Sequence, residues 1–232
     1  MQHNGITGII LSRTLYKDSD VILNVLTDEE GKVSMLAKGV RKIQSKLKGL
    51  LCIGSIHRID TIKSKGALVI VRGARYVFSP EVYDYEELKV FEKALQLTSH
   101  FCQKNQSVQE VFCLLREFII LFEKSKKKDL LSLSYALRTL TGLGFLGDLR
   151  YCIQCQEKLE LKSHFFNKKQ GFICFNCLGG TQFSQVSLAM VKLLAFIQRS
   201  SFGDVEQLAV SEKDMEQLWL MVNDIIRYQK EC

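Results

Sequence analysis

The chain has 232 residues, 47% apolar and 25% charged, which is the composition of a globular protein with room for one large or two small cores. Its longest apolar runs, such as FIILF at 118–122, are too short to span a bilayer. The opening MQHNGITG lacks the basic and apolar regions of a secretory signal, so a cytoplasmic protein without a membrane role is expected.

The net charge of +7 is unevenly placed. Residues 1–80 hold 13 Lys and Arg against 6 Asp and Glu, while residues 81–232 hold 19 of each. Residues 31–75 carry eleven basic side chains and one acid, Asp60. Such an excess favours a polyanionic partner, either nucleic acid or an anionic membrane surface, and nucleic acid is the first expectation.

In chain order, five runs rich in β-branched residues come first: 8–16, 20–27, 31–39, 54–62 and 66–78. DEEGK at 28–32 reads as a hairpin turn with Gly31 at positive φ, and KSKG at 63–66 as a second. Five short strands in about 75 residues predict a closed OB-type barrel, which leaves no open edge. The longest break, 40–52, falls where an OB-fold places its linking helix or loop. AKGVRKIQSKLKGLL, residues 37–51, carries Lys38, Arg41, Lys42, Lys46 and Lys48 and no acid. These cations, with Arg72 and Arg75 on the fifth strand, are the candidate phosphate contacts.

Only Tyr16, Tyr76 and Phe78 are aromatic in this region. Single-strand binders hold bases on aromatic platforms. A barrel with few platforms and many cations should therefore grip the backbone and read little sequence.

Pro80, the only proline, closes the strand region, and a boundary is expected there: 1–80 as a nucleic-acid-binding barrel and 81–232 as a helical domain. Ser107 and Glu110 form a capping-box pattern, followed by Val111, Leu114, Leu115, Phe118 and Phe122 at helical spacing. A second helix is expected from about 130 to Gly142 or Gly144. A third starts at Ser211 and Asp214, with Met215, Leu218, Trp219, Val222 and Ile226 on one face. These stripes are read as core.

Between them lies Cys152-x2-Cys155-x18-Cys174-x2-Cys177. Two residues between cysteines turn both thiolates of a knuckle toward one ion, and two knuckles supply a tetrahedral sulfur set. A structural zinc module at about 150–180 is expected, with an iron–sulfur cluster as the chief rival. His164, inside the spacer, is the alternative ligand. Four thiolates close the coordination sphere, so a catalytic zinc fits poorly. Cys52, Cys102 and Cys113 are expected as small core residues and Cys232 as part of the tail. The Walker, nucleophile-elbow, Rossmann and deaminase patterns are all missing, so no catalytic activity is expected.

GIILSRTLYKDSDVILNVLTDEEGKVSMLAKGVRKIQSKLKGLL resembles the N-terminal signature of the bacterial DNA repair protein RecO family. Its features are the initial G-I-[IV]-L, T-x-x-x-G-K, A-K-G-x-R and a Ser-Lys loop. YALRTLTGLGFLGDLRYCIQC resembles that family's helix ending in L-G-[YF] and its first zinc knuckle. In many members a proline follows the L-G-[YF]; here the segment reads FLGDL. The resemblance implies an OB-fold followed by a helical domain with a zinc insertion. It implies a recombination mediator that binds single- and double-stranded DNA, anneals complementary strands and, with RecR, helps RecA replace single-strand-binding protein, with RecF as a further partner. It also implies that the acidic, apolar tail of single-strand-binding protein docks on the helical domain. Arg138 and the run KSKKK at 124–128 are its candidate cations. A non-catalytic RNA-binding or ribosome-associated zinc protein is the alternative reading of the charge pattern.

Overall fold

The computed structural model describes residues 5–62, 69–82, 84–104, 108–159, 164–167, 171–178 and 184–231. Five strands, β1 (Ile6–Tyr16), β2 (Asp20–Thr27), β3 (Gly31–Ala37), β4 (Ile56–Ile62) and β5 (Val69–Phe78), close a barrel in the order β1-β2-β3-β5-β4. All pairs are antiparallel except β3–β5. This is the five-stranded OB arrangement expected from the sequence.

Alternation fixes which faces are buried. Val21, Leu23 and Val25 of β2 stand opposite Ala37, Met35 and Val33 of β3. All six enter one core with Ile10, Ile59 and Val71, because side chains on a strand alternate with period two. β1 serves two neighbours. Its first residues pair with β4, and from Gly8 onward it pairs with β2 across an irregularity between Ile10 and Ser12. Such a bulge bends a strand and lets the sheet curl shut. The DEEG hairpin forms as expected: Gly31 has φ +68°, and the Thr27 hydroxyl donates to the Gly31 carbonyl at 2.8 Å. The KSKG turn lies outside the described residues.

Helices α1 (Tyr85–Phe101) and α2 (Gln109–Phe122) follow. Asp84 caps α1 by accepting from the Glu87 amide at 2.8 Å. α2 buries the expected stripe, Val111, Leu114, Leu115, Phe118 and Phe122. Val108 holds its N-cap position, and Ser107 lies outside the described residues. Phe91 of α1 meets Phe122 at 5.0 Å between ring centroids. Gly54 lies so close that a Cβ there would sit 2.2 Å from the Phe91 ring, and its φ is +80°. Both facts reserve that position for glycine.

The chain forms two compact units, Met1–Lys126 and Lys127–Cys232. α1 and α2 thus share a unit with the barrel, and the expected division near residue 80 marks the change from strands to helices. In the second unit, α3 (Lys128–Gly142) is buried along most of its length. It packs with α4 (Leu188–Arg199), α5 (Phe202–Glu206) and α6 (Glu212–Glu231). α6 begins as expected: Ser211 Oγ accepts from the Asp214 amide at 3.1 Å. Its buried face is centred on Leu218, Met221, Val222 and Ile225. The expected Met215, Trp219 and Ile226 flank that face, half-buried. β6 (His164–Asn167), β7 (Gly171–Cys174) and β8 (Ser184–Val186) form a small sheet in the order β7-β6-β8. No described helix is long and apolar enough to cross a membrane.

Candidate nucleic-acid interface and metal centre

The basic loop is built from successive turns rather than a helix. The amides of Lys42, Ser45, Lys48 and Leu50 each donate to the carbonyl three residues earlier, at 3.1–3.2 Å. Val40 and Leu51 are buried in the barrel core, with Leu47 packed against it. Lys38, Arg41, Lys42, Lys46 and Lys48 are all exposed. The apolar residues therefore plug the barrel and turn the cations outward. The start of the loop is tied to the β1–β2 turn. The Gly39 amide donates to Asp20 Oδ1 at 2.8 Å, the Arg41 amide to the Ser19 carbonyl at 3.0 Å, and Arg41 Nη1 to the Asp18 carbonyl at 3.2 Å.

Arg72 and Arg75 are exposed on β5. The parallel pairing sets Met35 beside Val69 and Leu36 beside Ile70. Extended in the same direction, this register brings Lys38 level with Arg72. Loop and β5 cations thus share one end of the barrel. Among the described residues none of these seven cations forms an ion pair. The β1–β3 face instead carries an uncharged ladder: Ser34 Oγ donates to Asn24 Oδ1 at 2.8 Å, and Asn24 Nδ2 to Ser12 Oγ at 2.9 Å.

The structure brings one further exposed cation beside the set. Arg58 is exposed and stands directly opposite Arg75, a like-charge pairing that costs stability unless an anion shares it. The alternation of IHRIDTI could have marked it. Lys32, one of the eleven basic residues of 31–75, is used differently. It is half-buried, and its ammonium donates to the Ser99 carbonyl at the end of α1, where a helix dipole favours a cation. Burial holds the Lys32 pKa below its ordinary value.

Where the loop returns to the sheet, His57 is buried. The single Ser55 hydroxyl proton goes to the Cys52 carbonyl at 2.5 Å. His57 Nε2 lies 2.7 Å from Ser55 Oγ, and the imidazole also interacts with the Arg75 and Leu50 backbones.

The four cysteine sulfurs lie within 4.8 Å of one another, with Cys155 and Cys174 at 3.8 Å. A tetrahedron of ligands at about 2.3 Å has edges of about 3.8 Å, so the donor set fits one ion. Amides of Gln154 and Cys174 donate to Cys152 Sγ at 3.4 and 3.5 Å. Burial pushes the Cys152 thiol up, but these amides and that of Cys155 outweigh it and bring it to about 6. The crowding thiols of Cys155 and Cys174 push Cys177 up to about 12. Four thiols this close cannot all ionise without a cation among them. The His164 backbone pairs with Cys174 in the β6–β7 ladder, and the four cysteines complete the cluster without it. Of the other cysteines, Cys102 is buried, and burial pushes its thiol up to about 11. Cys52 and Cys113 are exposed, contrary to the core role expected for them. Cys232 lies outside the described residues.

The tail-docking cations expected from sequence are partly committed elsewhere. Arg138 stacks on Phe202 at 4.6 Å, and Lys127 Nζ donates to the Glu206 and Leu208 carbonyls at 2.7 and 2.8 Å. Sequence reasoning missed a groove of about 350 Å³. Val191, Ala195 and Phe196 form part of its lining, and Arg150, Lys158, Lys192 and Arg199 bring cations to it. Asp148 pairs with Arg150 at 2.7 Å and with Arg199 at 3.0 Å. The Arg150 pairing holds the Asp148 carboxyl below its ordinary pKa.

The model of the recombination protein O N-terminal domain matches residues 1–77, and that of its C-terminal domain matches residues 83–231. The chain belongs to the recombination protein O family. Among its relatives is the DNA repair protein RecO of Dehalococcoides mccartyi strain CBDB1, 27% identical over 95% of this chain and 88% of the relative. The RecO proteins of Thermodesulfovibrio yellowstonii and Clostridium perfringens strain 13 are each 26% identical. The first alignment covers 91% of this chain and 87% of the relative, the second 94% and 89%. The chain is thus a RecO-family DNA repair and recombination protein with a four-cysteine metal-binding site.

The buried imidazole has a measurable consequence. Burial lowers the His57 pKa. Below about 6.5, the ordinary imidazole value, the unfolded chain takes up a proton that the folded chain still refuses. Stability from this residue is complete above that pH and drains as pH falls toward the lower folded value. Urea unfolding should therefore lose more free energy between pH 7.5 and 5.5 in wild type than in His57→Gln. Equal losses would show that His57 titrates normally in the folded protein.

Proposed function

We propose that this protein grips single- and double-stranded DNA by its phosphates, anneals complementary strands, and with RecR helps RecA replace single-strand-binding protein. The observation that carries this reading is the set of exposed cations Lys38, Arg41, Lys42, Lys46, Lys48, Arg72 and Arg75, gathered at one end of the barrel without carboxylate partners among the described residues. Phosphate contacts position a strand without reading it. Bases that the protein leaves unclaimed can pair with an incoming complement. In this division of labour residues 1–80 bind DNA and residues 81–232 carry protein contacts. No step requires a catalytic group.

Substituting Arg41, Lys42 and Lys46 together by Ala should weaken single-stranded and duplex binding alike. The slope of log K against log salt should fall by about 2–3 units if all three touch phosphates. An unchanged slope would reduce the loop to a solvated face.

The metal is proposed to be one structural zinc held by Cys152, Cys155, Cys174 and Cys177. Soft thiolates and tetrahedral spacing favour it, and a closed sulfur set leaves no position for water. Zinc would supply a fold-holding crosslink, worth on the order of 10 kcal/mol in comparable small modules. Metal analysis should find one zinc per chain in wild type and none in Cys174→Ser, with annealing by the barrel retained. Iron and a visible absorption band would overturn the assignment.

The groove beside α4 supports docking of the tail of single-strand-binding protein. Its apolar floor suits an apolar side chain, and its cations suit carboxylates. Lys192→Glu should weaken binding to intact single-strand-binding protein roughly tenfold and leave naked-strand annealing unchanged. If a tail-deleted partner binds this protein as tightly as the intact one, the docking reading fails. RecA and RecF complete the proposed set of partners through the family's pathway.

A further inference from the structure

Three barrel aromatics differ sharply in what they offer a nucleobase. Phe78 is half-buried. Tyr16 is 38% exposed, and Lys17 Nζ lies over its ring at 5.4 Å. Tyr76 is 60% exposed and held at two points. Its Oη accepts from the Ser79 amide at 2.9 Å, and its ring meets His57 edge-on at 6.1 Å and 74°. Two contacts fix the ring before any ligand arrives, so stacking on it costs little ordering of the side chain.

Its place in the fold matters equally. Tyr76 is the register partner of His57, and His57 is hydrogen-bonded to Ser55, where the cationic loop rejoins the sheet. Alternation along β4 puts His57 on the same face as Ile59, which belongs to the barrel core. Among the described residues β5 is paired with β3 only at Val69 and Ile70, so farther along that edge of β5 has no ladder partner in β3, and Tyr76 there is 60% exposed. Tyr76 therefore stands at the barrel mouth beside the returning loop, and its neighbour Arg75 projects from the opposite face with Arg58.

We propose that Tyr76 is a nucleobase-stacking platform, and that it gives one end of a phosphate-gripping surface its preference for single strands. The proposal rests on the reading that the loop binds DNA. The loop cations grip any phosphate backbone, single or paired. A base can reach the Tyr76 face only when it is unpaired, because in a duplex it is stacked between its neighbours. One platform holds about one base, so the rest of the bound strand stays free to find its complement.

The test uses full-length protein and oligonucleotides carrying 2-aminopurine. Wild type should change the fluorescence of the probe in single strands and not in duplex. Tyr76→Leu should weaken single-strand binding on the order of tenfold, with duplex affinity and the salt slope unchanged because no charge is lost. Tyr76→Phe should keep single-strand affinity. Retained single-strand affinity in Tyr76→Leu, or equal losses on both DNA forms, would overturn the platform. Should Tyr76→Leu fail to fold by circular dichroism, ultraviolet crosslinking of 5-iodouracil strands to wild type decides. Crosslinks must include the peptide carrying Tyr76, and their confinement to other peptides refutes the proposal. The Arg41, Lys42 and Lys46 triple variant separates the two claims. If it loses both DNA forms while Tyr76→Leu loses neither, only the platform fails; if it binds both as wild type does, the clamp itself fails.

Discussion

The insertion of Val40 and Leu51 into the barrel core is the constraint on which the cationic surface depends. A loop holding five cations and no acid repels itself. At about 10 Å separation each pair costs a few tenths of a kcal/mol in water, and salt reduces this further. Burying two aliphatic side chains contributes roughly 1.5–3 kcal/mol apiece. The ten pairs cost about 4 kcal/mol together without salt and less with it, so the apolar anchors offset the repulsion, and the loop stays in place while remaining unbalanced in charge. Its start is stitched to the β1–β2 turn through Asp20 and Ser19, and its end to β4 through Ser55 and His57. A flexible basic tail would have to be ordered on binding, whereas this one arrives ordered.

The metal module follows a related logic with the opposite charge. Two knuckles bring four thiols together through hydrogen bonds that are themselves local, such as Cys152 amide to Glu157 carbonyl at 2.8 Å and Ile153 amide to Phe172 carbonyl at 2.9 Å. The backbone thus forms the cup, and the thiols resist joint ionisation until a cation enters. Gly171, at φ +142°, packs against Ile153 and Leu149, which ties the second knuckle to the first and to the chain leaving α3.

What could be read from the sequence was whatever depends on local chemistry. The strands of the barrel show in their alternation and in the DEEG turn, and the metal site in its cysteine spacing. The basic loop shows in its charge. What was hidden depends on contacts far apart in the chain. Lys32 looks like any surface lysine until the end of α1, 67 residues on, supplies its carbonyl. Val40 and Leu51 look incidental in a cationic run, and only barrel closure shows them as anchors. Cys52 and Cys113 were assigned to the core by residue type, but position on the surface decided otherwise. α1 and α4 were not anticipated. α1 carried a usable signal in Asp84 and Glu87, a cap pair ahead of a weakly apolar run. The groove beside α4 draws on residues 150, 158–159 and 191–200, and no single window of sequence contains it.

A protein that anneals strands faces two opposing demands. It must hold a strand firmly enough to compete for it, yet leave the bases able to pair. Aromatic platforms meet the first demand and work against the second, because a base stacked on protein is withdrawn from its complement. Cations on a rigid scaffold meet both, because the phosphates they hold face away from the pairing edges. The seven candidate cations and Arg58 are all exposed on the barrel, against three aromatics, of which one presents most of its ring. In the proposed scheme that ratio would let a strand be recognised as single at one point and be carried by its backbone elsewhere. The charge excess is confined to residues 31–75, and under the proposed function this would keep the phosphate-gripping surface on the barrel, with residues 81–232, which hold 19 basic and 19 acidic side chains, left for protein contacts.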